Sequence, residues 1–128
     1  MLLQKDKFIK AGIPYEDLDI EMIDIIDVLN FKLNLKTSNC CYGHENGARL
    51  MVMFDMCVTD KDIYPLAKYL CDKKVSFNFN KYLRVGNKLI ENWILEINSM
   101  WNKNNTDIYI NNKEYHVRNI LNVLNEYS

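Results

Sequence analysis

Residues 37–47, with the sequence Thr-Ser-Asn-Cys-Cys-Tyr-Gly-His-Glu-Asn-Gly, concentrate more reactive side chains than any other stretch of this chain. Two of the four cysteines, one of the two histidines and two of the four glycines lie within the eight residues from Cys40 to Gly47. Binding and catalytic residues are often carried by loops on a rigid scaffold. We therefore expect the site of this protein to include this stretch.

A thiol nucleophile is the first chemistry that these residues allow. Cys40 or Cys41 with His44 would form a thiolate–imidazole pair, and a sharp turn at Gly43 would aim backbone N–H groups at an oxyanion. Such a pair also needs a third group to orient the imidazole, and the sequence alone assigns none. If the protein is an enzyme, the predicted catalytic residues are Cys40, Cys41 and His44.

Metal binding is a weaker alternative. Cys41 and His44 have the spacing of a ligand pair, and Cys57 and Cys71 are available to complete a tetrahedral zinc site. The paired C-x-x-C spacing of a zinc site is absent, however. Cys71 is also predicted to lie on the buried stripe of its helix, where a cysteine usually acts as a small hydrophobic residue. The sequence therefore predicts no metal and no other cofactor.

Anion binding without catalysis is the third possibility. Hydroxyl groups and free backbone N–H groups in a loop suit an anionic ligand, and arginine binds phosphate or carboxylate through two parallel hydrogen bonds. A structural role is the alternative, with the loop as a tight connection and the cysteines packed beneath it. The predicted ligand-binding residues are Ser38, Asn39, Gly43, His44, Arg49 and Arg84.

The elements that would position this stretch follow from hydrophobic periodicity. Apolar residues at three- and four-residue spacing predict a helix over 17–33, and alternating apolar residues predict a strand over 49–58. Residues 37–48 between them are predicted to be a loop. A helix is predicted over 62–73, with Pro65 in its first turn, where the missing N–H is not needed.

The second half of the chain is predicted to contain more strands. Val75 to Asn80 alternates as a half-exposed strand does, and Gly86-Asn87 is a hairpin turn into a strand over 89–98. A further short strand is predicted over 108–110, followed by a helix over 113–127. Together with an N-terminal arm or short strand over 1–16, this order predicts an α/β (α+β) fold. Its small mixed sheet of three to five strands packs against about three helices in a single domain, residues 1–128.

Composition narrows the function classes. The net charge of -1 argues against a strongly electrostatic nucleic-acid binder. No apolar run is long enough to span a membrane, and the chain start lacks the pattern of a signal peptide. We therefore expect no membrane partner and a location in the cytoplasm, the bacterial host cytosol if the chain is of phage origin, where the cysteines stay reduced.

Two resemblances bear on function. The helix, the Thr-Ser-x-Cys segment and the following strand resemble the Ser-Ser-Cys-Ser-Gly-Arg region of the wybutosine-synthesis methyltransferase of the TYW-three type. Cys40-Cys41-Tyr42-Gly43-His44 and the later Trp93-Ile94-Leu95-Glu96-Ile97 are more similar to small uncharacterised phage and prophage proteins with a Ser-Cys-Cys-x-Gly-His loop. The second resemblance implies an accessory protein of a virus or mobile element, a setting in which many proteins inhibit host defence by binding.

The leading expectation is a non-enzymatic phage or prophage accessory protein, a host-defence inhibitor. Its partner would be a small anionic, nucleotide-like ligand or a host defence protein, and a homo-oligomer would suit a ligand held between protomers. The alternative is a Cys/His-dependent or S-adenosylmethionine-dependent enzyme that acts on a nucleotide or RNA.

Overall fold

Four antiparallel strands form one sheet, and the helices lie against one of its faces. The computed structural model describes residues 4–42, 50–97 and 106–127, with side chains in the last helix from Glu114 onward. The helices are α1 (Gln4–Lys10), α2 (Ile23–Asp27), α3 (Asp60–Asp72) and α4 (Thr106–Asn125); the strands are β1 (Thr37–Cys41), β2 (Leu50–Phe54), β3 (Phe77–Val85) and β4 (Leu89–Ile97). The α+β fold class is confirmed.

The strand order β1-β2-β4-β3 makes β2 and β4 the central strands and β1 and β3 the edges. Val52 is opposite Leu95, and Leu50 is opposite Ile97, so these four side chains share one face of the sheet. All four are at most 1% exposed, and they belong to one core cluster with apolar residues of all four helices. Burying each such side chain contributes about 1.5–3 kcal/mol.

The predicted helix over 17–33 is present in three joined pieces. A 3-10 turn (Ile20–Met22) leads into α2, and a π-helical segment (Val28–Lys32) continues it. The predicted apolar stripe is confirmed, since Ile25 and Leu29 are fully buried. A π-helical segment is rare and often marks a functional region.

The prediction of an arm or strand over residues 1–16 is wrong, because Gln4–Lys10 is a helix. Phe8 is fully buried and anchors this helix through ring contacts with Tyr15 and Phe31, at 5.4 and 5.5 Å between ring centroids. The chain turns after the helix at Gly12, whose φ is 80°. A single anchoring side chain gives no periodic signal, so the sequence did not reveal this helix.

The predicted loop over 37–48 begins instead as strand β1, paired antiparallel with β2. β1 is an edge strand with polar residues at Thr37, Ser38 and Asn39, so it lacks the apolar alternation that identifies a strand. Residues 43–48 of the predicted loop lie outside the described residues.

Helix α3 begins two residues earlier than predicted because Thr59 and Asp62 form a capping box. Pro65 is therefore the sixth residue of the helix, and the prediction that it lies in the first turn is wrong. Pro65 and Lys61 are both exposed, so water can reach the Lys61 carbonyl that lacks an N–H donor. Cys71 is exposed, so its predicted place on the buried stripe is wrong.

The predicted hairpin is confirmed, with Val85 opposite Leu89 across the Gly86–Lys88 turn. Helix α4 begins at Thr106, so the predicted strand over 108–110 is wrong. Its predicted apolar stripe is confirmed by the buried residues Val117, Ile120 and Leu124. The β-branched and aromatic residues of the 108–110 segment favour a strand locally, and the fold overrides that preference.

Candidate functional site

Strand β1 has an irregularity at the residue where the sequence predicts ligand contacts. Thr37 is opposite Phe54, whereas Asn39 is opposite Met53, so Ser38 is an extra residue in a β-bulge. The Ser38 hydroxyl lies 3.4 Å from the Met53 carbonyl oxygen and 3.5 Å from that of Phe54. Bulges re-aim side chains and are common next to functional sites.

Asn30, in the π-helical segment, fixes the start of β1. Its amide nitrogen donates to the Ile26 carbonyl oxygen at 2.8 Å and to the Thr37 hydroxyl at 2.9 Å. Its amide oxygen accepts the Thr37 N–H at 3.1 Å. These three hydrogen bonds tie the α2 region to the edge strand and explain why Thr37, although polar, is buried.

A cleft of about 250 Å³ opens beside β1, and we call it the β1 cleft. It combines carboxylates (Asp17 and Asp55) with the ammonium group of Lys36 and with the side chains of Ser38 and Asn39. The Cys57 N–H donates to Asp55 at 3.0 Å, and this hydrogen bond holds the pKa of that carboxyl below its ordinary value. The cleft thus combines groups of both charges with apolar side chains such as Ile13 and Leu18, and it is not a purely cationic anion site.

Cys40 lies on the same face of β1 as the core, opposite Val52. Burial raises the pKa of its thiol to about 11, so the thiol is protonated at neutral pH. An activated cysteine nucleophile requires the opposite shift. Cys41 lies on the other face, opposite Met51, so the two adjacent cysteines do not share an environment.

Of the remaining predicted ligand contacts, the structure describes only Arg84. Gly43, His44 and Arg49 lie outside the described residues. Arg84 is in β3, at the opposite edge of the sheet from Ser38, which places it three strand spacings, or about 14 Å, away across the sheet. Within the ranges that the structure describes, no group of three or more His, Cys, Asp or Glu side chains is arranged to hold a metal ion.

A second candidate surface lies on the β3–β4 hairpin, which is longer than the rest of the sheet. β2 pairs with β4 only from Ile94 to Ile97, so residues 81–93 form a two-stranded arm, here called the hairpin arm. On one face of the arm, three apolar side chains are exposed: Leu83 (54%), Val85 (87%) and Leu89 (56%). We call these three residues the arm patch.

The base of the arm meets the start of α3 in a groove of about 470 Å³. The Asp60 carboxylate accepts hydrogen bonds from Lys81 and from the Trp93 indole, both at 2.9 Å. These two donors hold the pKa of Asp60 below its ordinary value. The Lys81 ammonium also lies 4.8 Å from the Trp93 ring centroid, so the indole is fixed in orientation at the floor of the groove.

The arm patch was not predicted from the sequence. The Gly86-Asn87 turn and the Trp93 strand were predicted, but the extension of the hairpin past β2 was not. The available signal was the length of the apolar alternation on both sides of the turn, from Phe77 to Ile97, which exceeds the five residues of β2.

Comparison with known proteins agrees in part with the resemblances. Residues 6–128 match the family model described as YoqC prophage protein. No curated protein and no solved structure matches the chain. The Ser-Cys-Cys-x-Gly-His pattern and the methyltransferase resemblance stay predictions. The helices in the described part of the chain are too short or too polar to cross a membrane.

Proposed function

This chain belongs to the YoqC prophage protein family, and we propose that it is a phage accessory protein that acts without catalysis by binding a host protein. The arm patch, with the Trp93 groove at its base, is the binding surface. A host defence component is the partner that the prophage setting favours.

The observation that carries this proposal is the exposure of Leu83, Val85 and Leu89 on one face of a projecting arm. A cluster of exposed apolar side chains rimmed by polar residues is typical of a protein-binding surface. The same face of the sheet is covered by helices further along β4, where Leu95 and Ile97 are fully buried. A partner seated on the arm patch would continue that cover.

The groove supplies the features of an anchor site. Tryptophan is one of the residue types enriched at binding hot spots. In this protein the hydrogen bond from the Trp93 indole to Asp60 fixes the ring before a partner binds. Glu91 lines the same groove, on the same face as Leu83. A partner that inserts an apolar side chain against Trp93 and places a basic group near Glu91 would match this surface.

Affinity capture from a bacterial host tests the proposal. The test variant replaces Leu83, Val85 and Leu89 with threonine, which keeps a high strand propensity. The control variant makes the same change at three exposed hydrophobic residues away from the arm: Ile9, Ile20 and Tyr115. We expect a host protein captured by the wild type and the control to be lost from the arm variant. Equal capture by all three proteins contradicts the proposal.

The defence role has its own readout. Expression of the wild-type protein should raise the plating efficiency of a phage that the host normally restricts, and the arm variant should not. If the arm variant binds no host protein yet still protects the phage, the arm is not the surface that acts on defence.

Capture of a small molecule is the second candidate, favoured by the β1 cleft. Its volume of about 250 Å³ is below the roughly 300–1,000 Å³ of sites for drug-sized ligands, so the ligand would be small. Ser38, Asn39 and Lys36 would contact it. Native mass spectrometry of the protein purified from its host should then show a bound mass that is lost in a Ser38→Ala/Asn39→Ala variant. Identical spectra for the two proteins count against this candidate.

A further inference from the structure

The two edges of the sheet differ in how they are protected against pairing with another strand. β1 is five residues long and carries the Ser38 bulge, two devices that natural proteins use to blunt an edge. β3 is nine residues long, and its register with β4 is unbroken from Phe77 to Val85. None of the described strands pairs with the outer side of β3.

The charged residues of β3 do not protect its edge. Lys81 is engaged by Asp60 beneath the arm, so its ammonium group is directed away from the edge. Arg84 lies over the Tyr82 ring, 6.0 Å from the ring centroid. β3 also contains no proline. A long, regular edge of this kind is a template for strand pairing.

We propose that β3 pairs antiparallel with β3 of a second copy of this chain, so that two four-stranded sheets join into one eight-stranded sheet around a twofold axis. The axis passes beside Tyr82, and Tyr82 of each copy is opposite Tyr82 of the other. In this dimer the two arm patches lie on one face of the joined sheet, with Val85 of each copy beside Phe79 of the other. Dimerisation itself does not require the proposed host partner.

The residue pattern of β3 favours an axis at Tyr82 over an axis at either neighbouring residue. The core-facing side chains of both copies must lie on the same face of the joined sheet. This is possible only if the twofold axis passes beside a residue of β3 and not between two residues. An axis at Lys81 would place two lysines directly opposite each other, which is destabilising. An axis at Leu83 would limit the paired part of β3 to residues 81–85, whereas an axis at Tyr82 pairs residues 79–85.

The axis at Tyr82 matches the side chains by type. On one face, Tyr82 meets Tyr82 and Asn80 meets Arg84, which are an aromatic pair and a polar pair. On the other face, Phe79 meets Val85, and the stem of Lys81 runs beside Leu83. No two like charges are opposite each other within residues 79–85. Arg84, predicted from the sequence as an anion contact, would instead contact a neighbouring strand.

The first test is the mass of the protein in solution as a function of its concentration, measured by light scattering and sedimentation. We expect a monomer–dimer equilibrium. Tyr82→Lys places two lysines opposite each other at the axis and should weaken dimerisation by roughly tenfold or more. Tyr115→Lys changes a tyrosine of similar exposure on α4 and should dimerise like the wild type. A wild-type protein that stays monomeric up to its solubility limit overturns the proposal.

The second test reports the register of the β3–β3 pairing and does not depend on weakening the dimer. A cysteine at position 82 would face its own copy across the axis and should form a disulfide-linked dimer on mild oxidation. A cysteine at position 85 would be far from the same position in the other copy. Val85→Cys should therefore show only the disulfide cross-linking that the four native cysteines give in the wild type. Cross-linking of both variants to the same extent, or of neither, overturns the register.

Discussion

Replacement of Asn30 by alanine should destabilise the protein markedly, although Asn30 lies on no proposed binding surface. The change removes the amide group that accepts the Thr37 N–H and donates to the Ile26 carbonyl oxygen and the Thr37 hydroxyl. Thr37 is only 9% exposed, so water replaces these partners poorly. One orphaned N–H costs about 1–3 kcal/mol, and each of the two other lost hydrogen bonds adds about 0.5–1.5 kcal/mol.

The expected loss is therefore about 2–6 kcal/mol in the free energy of unfolding, which corresponds to a fall in Tm of roughly 6–20 °C for a domain of this size. Urea denaturation measures it as a lower transition midpoint with an unchanged m value. Asn122→Ala is the control, because Asn122 is an exposed helical residue and alanine favours a helix. A loss below about 0.5 kcal/mol for Asn30→Ala would refute the role given to these hydrogen bonds.

Three other predictions follow from single features. Gly12 has a φ of 80°, so Gly12→Ala should lower the free energy of unfolding by about 1–2 kcal/mol, measured by heat or urea. Gly86 has open space around it and no positive φ, so Gly86→Ala should be close to neutral. Equal effects of the two changes contradict the backbone argument. The pKa of Asp55 is lowered in the folded protein, so its stabilisation is present above the ordinary aspartate pKa and is lost as the pH falls through the lowered folded value. Asp55→Ala should therefore cost more stability at neutral pH than at about pH 3, and a cost independent of pH contradicts this reasoning. Burial raises the pKa of the Cys40 thiol to about 11. Alkylation at neutral pH should therefore modify the exposed Cys71 well before Cys40, and mass spectrometry measures the order. Rapid modification of Cys40 would support a thiol nucleophile at this position.

The parts of the fold with strong periodicity could be predicted from the sequence. The apolar stripes of the α2 region and of α4 were found from spacing alone, because each buries a full face in the core. The hairpin was found from the Gly86-Asn87 turn between two alternating segments. The elements that were missed lack such a face. α1 buries only Phe8 and is otherwise held by polar contacts such as the Lys7–Asp27 ion pair. β1 is a polar edge strand whose shape depends on hydrogen bonds with Asn30 and β2.

The candidate site was only partly accessible to sequence reasoning. Ser38 and Asn39 were predicted as ligand contacts from their residue types, and both line the β1 cleft. Arg84 was grouped with them although it lies at the far edge of the sheet, because strand order is not encoded in local spacing. The exposure of Val85 also depends on strand order, since the same alternating pattern in a central strand would be buried.

The central claim is that the arm patch contacts a host protein, and site-specific photo-cross-linking in living host cells tests it most directly. A photoreactive phenylalanine analogue would replace Val85 in one variant and Ile20 in another, two residues with similar exposure of 87% and 79%. The proposed function predicts a covalent adduct with a host protein from position 85 and none from position 20. Adducts of the chain with itself alone at position 85, or the same host adducts from both positions, would contradict it.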